Sequence, residues 1–132
     1  MARSVIVVAP AFLLVLLLVQ GAWSEKCTPA SVEVLQTSNG EKAGVDPVFE
    51  VTVRNKCECP VRGVLLRSEG FSSSVPVDPK LFRKEGGDYL VGDGGLIQSD
   101  AVVQFRYAWD RAFEIGPAAV QEDCAGLHEL TV

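Results

Sequence analysis

The sequence has few of the side chains that hydrolases and metalloenzymes use. It contains one histidine, His128, and four cysteines among 132 residues. A catalytic dyad or triad would have to use that histidine, which lies in a polar segment beyond the last cysteine, where chains are commonly poorly ordered. The carboxylates are scattered over polar positions with no spacing that pairs two of them for acid–base work. We therefore expect no enzyme activity and no catalytic residue.

Basic residues are also scarce. Twelve Lys and Arg stand against seventeen Asp and Glu, which gives a net charge of −5. Binding to a phosphate backbone needs clustered cations, so a nucleic-acid partner is not expected. The glycine-rich stretch 92–95, "GDGG", lacks the Lys-Ser/Thr of a phosphate-binding loop and is typical of a tight turn. We predict no cofactor.

Only one long apolar run exists, Val5–Val19, and a single positive charge, Arg3, precedes it. The run has the length of a secretory core segment and falls short of the ~20 residues that span a bilayer. Ala22 and Ser24 occupy the small-residue positions before a cut between Ser24 and Glu25. This pattern predicts a cleaved signal peptide and a secreted protein with no membrane attachment after processing. The alternative is an uncleaved membrane anchor.

The predicted organisation is a signal peptide over residues 1–24, one domain over 25–124 and a flexible tail over 125–132. The domain has no sustained helical period. Short alternating runs are broken by Gly, Pro, Asp and Asn, and Val48–Asn55 alternates strongly, with Phe49, Val51 and Val53 on one face. We predict an all-β fold, an antiparallel β-sandwich of about seven short strands stapled by disulfides.

The longest alternating run ends in two aromatic residues, Tyr107 and Trp109, after Val103 and Phe105. One interpretation places Tyr107 and Trp109 on a sugar-binding face, as in the carbohydrate-binding modules of cell-wall proteins. Because the alternation is unbroken, we favour the other interpretation, in which both residues continue the stripe that faces the core.

The four cysteines are predicted to form disulfides, since an even number behind a signal peptide indicates an oxidising compartment. Cys57 and Cys59 are two residues apart, so in an extended chain their Cα atoms lie near the ~6.8 Å limit for a mutual bridge. Mutual bonding is therefore disfavoured, although a bend before Pro60 would allow it. The other two pairings, each joining Cys27 and Cys124 separately to this pair, stay open. The Cys-x-Cys spacing is too short for a usual zinc site and no second pair follows, so no metal is expected.

Four residues between the predicted strands are candidate contacts for a protein partner: Phe71, Pro79, Phe82 and Arg83. Phe71 is an apolar residue flanked by Gly and Ser. Phe82 and Arg83 belong to a Phe-Arg-Lys segment that is the main basic site of an acidic chain. Phe and Arg are residue types that serve as interface anchors. Alternatively, either Phe covers the core instead of facing a partner.

Several segments in order resemble one known family. They are "FEVTVRNKCECP", "GFSSSVPVDPKLFR", "YLVGDGGLI" and "VQFRYAWD", with Cys27 before them and Cys124 after them. Together they resemble the plant Tapetum determinant family of small secreted cysteine-rich proteins. The resemblance implies an apoplastic ligand that binds the ectodomain of a leucine-rich-repeat receptor kinase and specifies cell fate, notably tapetum formation in the anther.

The chain departs from this family at two positions. The family usually has six cysteines, and Ser68 and Tyr89 stand where two of them would be. Because their joint loss keeps the number of cysteines even, we hypothesise that these two positions form a disulfide in relatives and that this chain dispenses with it.

A Ser68→Cys/Tyr89→Cys double variant tests this hypothesis by thiol titration. We expect no free thiol, because the two introduced cysteines should pair with each other. Two titratable thiols in a correctly folded variant would contradict the hypothesis.

Overall fold

A computed structural model describes residues 26–124. The predicted signal peptide 1–24, its cut between Ser24 and Glu25, and the tail 125–132 with His128 lie outside this part. Eight strands form the domain: β1 Val32–Thr37, β2 Lys42–Ala43, β3 Asp46–Asn55, β4 Val61–Arg67, β5 Phe82–Glu85, β6 Asp88–Val91, β7 Val102–Ala108 and β8 Gly116–Glu122. Two short 3-10 turns, Pro29–Ser31 and Gly92–Gly94, complete the described elements. Within this part of the chain, no helix is long and apolar enough to cross a membrane.

The strands form two antiparallel sheets. In sheet 1, β3 lies in the centre, β1 and β7 flank it, and the short β2 pairs with its first residues. In sheet 2 the order is β5-β6-β4-β8. This arrangement confirms the all-β, disulfide-stapled antiparallel fold, with eight strands where about seven were expected. Because the alternating runs bury one face of each sheet, the two inner faces share one core.

The core of sheet 1 follows the alternation in the sequence. Val51 and Val53 of β3 and Phe105 and Tyr107 of β7 are all at most 3% exposed. Tyr107 is fully buried, so its ring is unavailable to a sugar-binding face, and Trp109 is half-buried with its ring centroid 6.3 Å from that of Phe113. The interpretation of this stripe as core is therefore correct for Tyr107.

A β-bulge in β4 puts three apolar residues on one face although their spacing is irregular. Val61, Val64 and Leu66 are all fully buried, yet simple alternation would place Val61 and Val64 on opposite faces. The pairing with β8 shifts between Arg62 and Leu65, where Gly63 has φ +58. This left-handed conformation favours glycine, and the extra residue turns Val64 back toward the core.

An aromatic cluster joins the two sheets, and the loop residue Phe71 lies at its centre. Its ring centroid is 5.1 Å from those of Phe82 and Tyr107, 5.5 Å from Tyr89 and 5.4 Å from Phe113. Phe82, at the start of β5, stacks on Phe105 of β7 at 4.2 Å and is 3% exposed. Aromatic contacts of this kind add to the free energy gained from burial.

Two of the four contact candidates therefore require correction. Phe82 lies in the core, where no partner can reach its side chain, and Phe71 is half-buried under the cluster it helps to form. The alternative left open for both residues, that they cover the core, is the one the structure supports. The prediction was based on the polar residues that flank Phe71, which are typical of an exposed loop. The ring between them nevertheless packs against aromatic residues of both sheets.

We expect Phe71→Ala to lower the free energy of unfolding by about 3 kcal/mol, because it removes one ring from four aromatic contacts. Urea denaturation measures this loss. The control is Val45→Ala at a turn where the side chain is 89% exposed, with an expected change within about 0.5 kcal/mol. Equal stability of the two variants would show that Phe71 does not contribute to the core.

Candidate functional site

The disulfides connect the centre of the domain to both of its ends. Cys27 is bonded to Cys57 and Cys59 to Cys124, with Cα separations of 5.6 and 5.0 Å. Both separations fall in the usual range for a disulfide. The structure thus selects one of the two pairings that the sequence left open. Each bridge closes a long loop and contributes roughly 4 kcal/mol in the loop-entropy description.

A buried asparagine organises the turn between the two central cysteines. Asn55, 1% exposed, accepts a hydrogen bond from the Cys57 N–H at 2.9 Å. Its side-chain amide donates to the carbonyl oxygens of Cys59 at 2.9 Å and Ile97 at 3.0 Å. Both amide protons are used, so the side chain is fully committed to this turn. The bonds direct the chain after β3 so that each cysteine meets a different end of the domain.

Backbone hydrogen bonds hold these two ends beside the turn. The N–H of Lys56 donates to the carbonyl of Ser31 at 2.9 Å, next to the segment that carries Cys27. The N–H of Asp123 donates to the carbonyl of Pro60 at 2.8 Å, one residue before Cys124. We call the four cysteines with Asn55 the cysteine junction. Its geometry rests on hydrogen bonds as well as on the two bridges.

The sulfur atoms of the junction are crowded. The Sγ atoms of Cys27, Cys59 and Cys124 all lie within 4.8 Å of one another, and Cys27 and Cys59 are buried. All four cysteines are disulfide-bonded. Since the thiolate is the nucleophile and the metal ligand, the oxidised junction offers neither function.

The two remaining contact candidates lie together on the surface. The Arg83 guanidinium donates to the Asp93 carboxylate at 2.5 Å and to the Pro79 carbonyl at 3.3 Å. Pro79 is exposed, and the side chains of Arg83 and Asp93 are 37% and 62% exposed. An ion pair this exposed contributes little to stability. It does fix the direction in which the guanidinium points.

Two leucines continue this surface across sheet 2. Arg83 is opposite Leu90, and Leu90 is opposite Leu65, so the three side chains form one cross-strand row. Each of the three has at least one buried neighbour along its strand, so the row faces outward, and both leucines are half-buried. We call Leu65, Pro79, Arg83 and Leu90 the Arg83 face. The leucines were missed in the sequence, although each occupies a position between two residues that pack into or against the core.

The two positions compared with the six-cysteine pattern have different surroundings. Ser68 is 5% exposed and its hydroxyl has no hydrogen-bond partner among the described residues. Tyr89 is opposite Leu66, so Ser68 is two residues beyond the position that faces Tyr89. Diagonal Cα atoms in a sheet are about 7–8 Å apart, slightly more than a disulfide spans. The proposed bridge thus requires a small strand shift, and its existence in relatives stays a hypothesis.

Tyr107 ends the core stripe in a polar network at the opposite end of the domain from the junction. Its hydroxyl donates to the Gln36 side chain and accepts a hydrogen bond from the Phe113 N–H at 2.9 Å. Burial raises the pKa of Tyr107 above its ordinary value, and the hydrogen bond from Phe113 acts in the opposite direction.

A cleft of about 800 Å³ adjoins this network. The residues that line it are Gln36, Arg67, Glu69, Glu114, Ile115, Gly116 and Pro117.

Replacing Asn55 with Ala should lower the free energy of unfolding by at least about 3 kcal/mol, because the buried Cys57 N–H and the Cys59 carbonyl lose their partner and the Ile97 carbonyl keeps only the Val61 N–H. Chemical denaturation measures the loss, and peptide mapping after refolding should show mixed disulfide pairings. Asn39→Ala is the matched control, since exposed Asn39 accepts a hydrogen bond from the Glu41 N–H across the same two-residue spacing. Its cost should stay below about 1 kcal/mol. Similar costs for both variants would refute the special role of Asn55.

Comparisons with known proteins agree with the resemblance seen in the sequence. The "TPD1 protein homolog 1A" of Oryza sativa subsp. japonica is 36% identical over 70 residues, which cover 46% of this chain and 31% of the rice protein. The chain thus matches less than a third of that relative's length. No solved structure matches the chain. A family model described as Tapetum determinant 1, C-terminal, matches residues 28–124. Because this match covers nearly the whole two-sheet domain, the chain belongs to the Tapetum determinant family.

Proposed function

We propose that the chain is a secreted signalling ligand that binds the ectodomain of a leucine-rich-repeat receptor kinase and thereby influences plant cell fate. The observation that carries this proposal is the family match over residues 28–124, which spans both sheets and the junction. In this proposal the domain performs no catalysis. Recognition by a protein partner, with anther and tapetum development as the family setting, is its whole activity.

Secretion forms part of the proposal. The apolar run before Ser24 has the pattern of a signal peptide, and the two disulfides are of the kind that persists in oxidising compartments. The apoplast is the compartment where a plant receptor ectodomain is accessible. A scaffold that is stapled before binding also loses less conformational entropy when the complex forms, which favours affinity.

The Arg83 face is the part of the surface that we assign to the receptor. It combines a guanidinium held in place by Asp93 with two adjacent leucines, whereas Phe82 is buried and the half-buried Phe71 packs its ring against the core. Arginine is enriched at the energetic centre of protein interfaces, and apolar neighbours exclude water from its contacts. The receptor surface that fits this face carries a carboxylate beside aliphatic side chains.

Binding of the purified protein to a panel of leucine-rich-repeat receptor ectodomains tests the function. We expect at least one ectodomain to bind, and we expect Arg83→Glu to weaken that binding at least about tenfold by reversing the charge at the face. The matched control is Arg106→Glu on sheet 1, where the arginine is also exposed and paired with a carboxylate, Glu41. Its affinity should change less than about threefold.

Two outcomes would contradict the proposal at different levels. Equal effects of Arg83→Glu and Arg106→Glu on binding, with both variants folded, would show that the Arg83 face is not the contact surface. The proposal that a receptor ectodomain is the partner would still stand. Absence of binding to every ectodomain, together with retention on plant cell-wall polysaccharides, would replace the ligand role by that of a carbohydrate-binding module.

A further inference from the structure

The cysteine junction contains the closest group of metal-ligating atoms found among residues 26–124. Three of its Sγ atoms lie within 4.8 Å of one another, and the fourth, that of Cys57, is bonded to Cys27. We infer that the same four cysteines, when both disulfides are reduced, form a tetrahedral Zn²⁺ site. The inference does not depend on the proposed ligand role, because it concerns only the chemistry of the junction.

The geometry requires small movements. Zinc–sulfur bonds of about 2.3 Å in a tetrahedron place the sulfurs about 3.8 Å apart. The Sγ of Cys27 lies within 4.8 Å of those of Cys59 and Cys124 and needs to approach them by at most about 1 Å, while the two sulfurs within each broken bridge separate and the Sγ of Cys57, released from Cys27, turns into the fourth position. Rotations about the Cα–Cβ bonds produce displacements of this size with the backbone in place.

The hydrogen bonds of the junction keep the ligands together without the bridges. Asn55 binds the backbone of both Cys57 and Cys59, and these bonds do not involve sulfur. The Lys56–Ser31 and Asp123–Pro60 backbone bonds retain the two ends of the domain beside the turn. The reduced chain thus presents preorganised ligands, whereas most short zinc motifs are unfolded before the metal binds.

The tertiary structure also explains why the sequence pattern points away from zinc. A usual structural site takes two ligands from each of two short motifs. Here Cys57 and Cys59 supply one closely spaced pair, and Cys27 and Cys124 come singly from opposite ends of the domain. Sequence spacing alone does not reveal that these two ends meet.

The two states of the junction exclude each other. A phosphine reductant donates two electrons to each disulfide and takes an oxygen from water, which yields the phosphine oxide and two thiols. Zn²⁺ then displaces up to four thiol protons, so its affinity should increase with pH. Reoxidation by dioxygen, which takes four electrons and four protons and becomes water, re-forms two sulfur–sulfur bonds and leaves no thiolate to hold the metal. The junction therefore holds either two disulfides or one zinc ion.

Metal titration of the reduced full-length chain tests the inference. With a phosphine reductant and no oxygen, we expect one Zn²⁺ per chain and a rise in Tm of at least about 10 °C. Co²⁺ used as a probe should give thiolate charge-transfer bands and the visible spectrum of a tetrahedral centre. The oxidised protein should show neither effect at the same metal concentration.

A variant with all four cysteines replaced by Ser is the matched control, because it lacks disulfides as the reduced chain does. It should gain no Tm and no thiolate bands, whether or not it folds. Cys57→Ser, reduced in the same way, should bind Zn²⁺ at least about tenfold more weakly, since one ligand is lost. Equal Zn²⁺ stabilisation of the four-Ser variant, a Co²⁺ spectrum without thiolate bands, or one metal shared by two chains would overturn the inference.

Discussion

The hydrogen bonds of Asn55 are the constraint on which the arrangement of this domain depends. Its buried side chain binds the N–H of Cys57 and the carbonyl of Cys59. It also binds the carbonyl of Ile97, in the segment that precedes β7. A buried amide with unused hydrogen-bonding groups is costly, so the native turn is strongly preferred over alternatives that leave Asn55 unpaired. That preference places Cys57 and Cys59 toward different chain ends. The two bridges then restrict the unfolded chain in loops that together span the domain.

The two ends of the sandwich have different physical characters. Near the junction, covalent bonds and backbone hydrogen bonds hold the sheets, and few large side chains are needed. At the other end, the Phe71 cluster and the Gln36–Tyr107–Phe113 network do this work through ring contacts and buried hydrogen bonds. A domain of about one hundred residues buries a limited share of its surface, so covalent and aromatic contributions at separate ends complement each other.

The residues that hold the two ends of the domain together are not available to a partner, which leaves other surface residues for recognition. Loop aromatics look like binding residues in a sequence, yet in this fold they are the part of the loop that enters the core. Arg83 remains outside because β5 alternates and the residue before it occupies the inward position, and Pro79 lies in the exposed turn before β5. The leucines of the Arg83 face belong to strands whose inner neighbours satisfy the core. Both leucines are half-buried, and the part of their apolar surface that stays accessible lies beside the Arg83 guanidinium.

The sequence by itself determined the fold class, the presence of disulfides, the inward stripe of β7 and the family, because these depend on alternation, cysteine number and local motifs. Tertiary structure alone decided the disulfide pairing, the β4 bulge, the packing of Phe71 and Phe82 at the core, and the meeting of Cys27 with Cys124 beside Asn55. The physical reason is the range of the interactions. A period of two residues is visible in a short window, whereas contacts between residues thirty to one hundred positions apart depend on how two sheets stack.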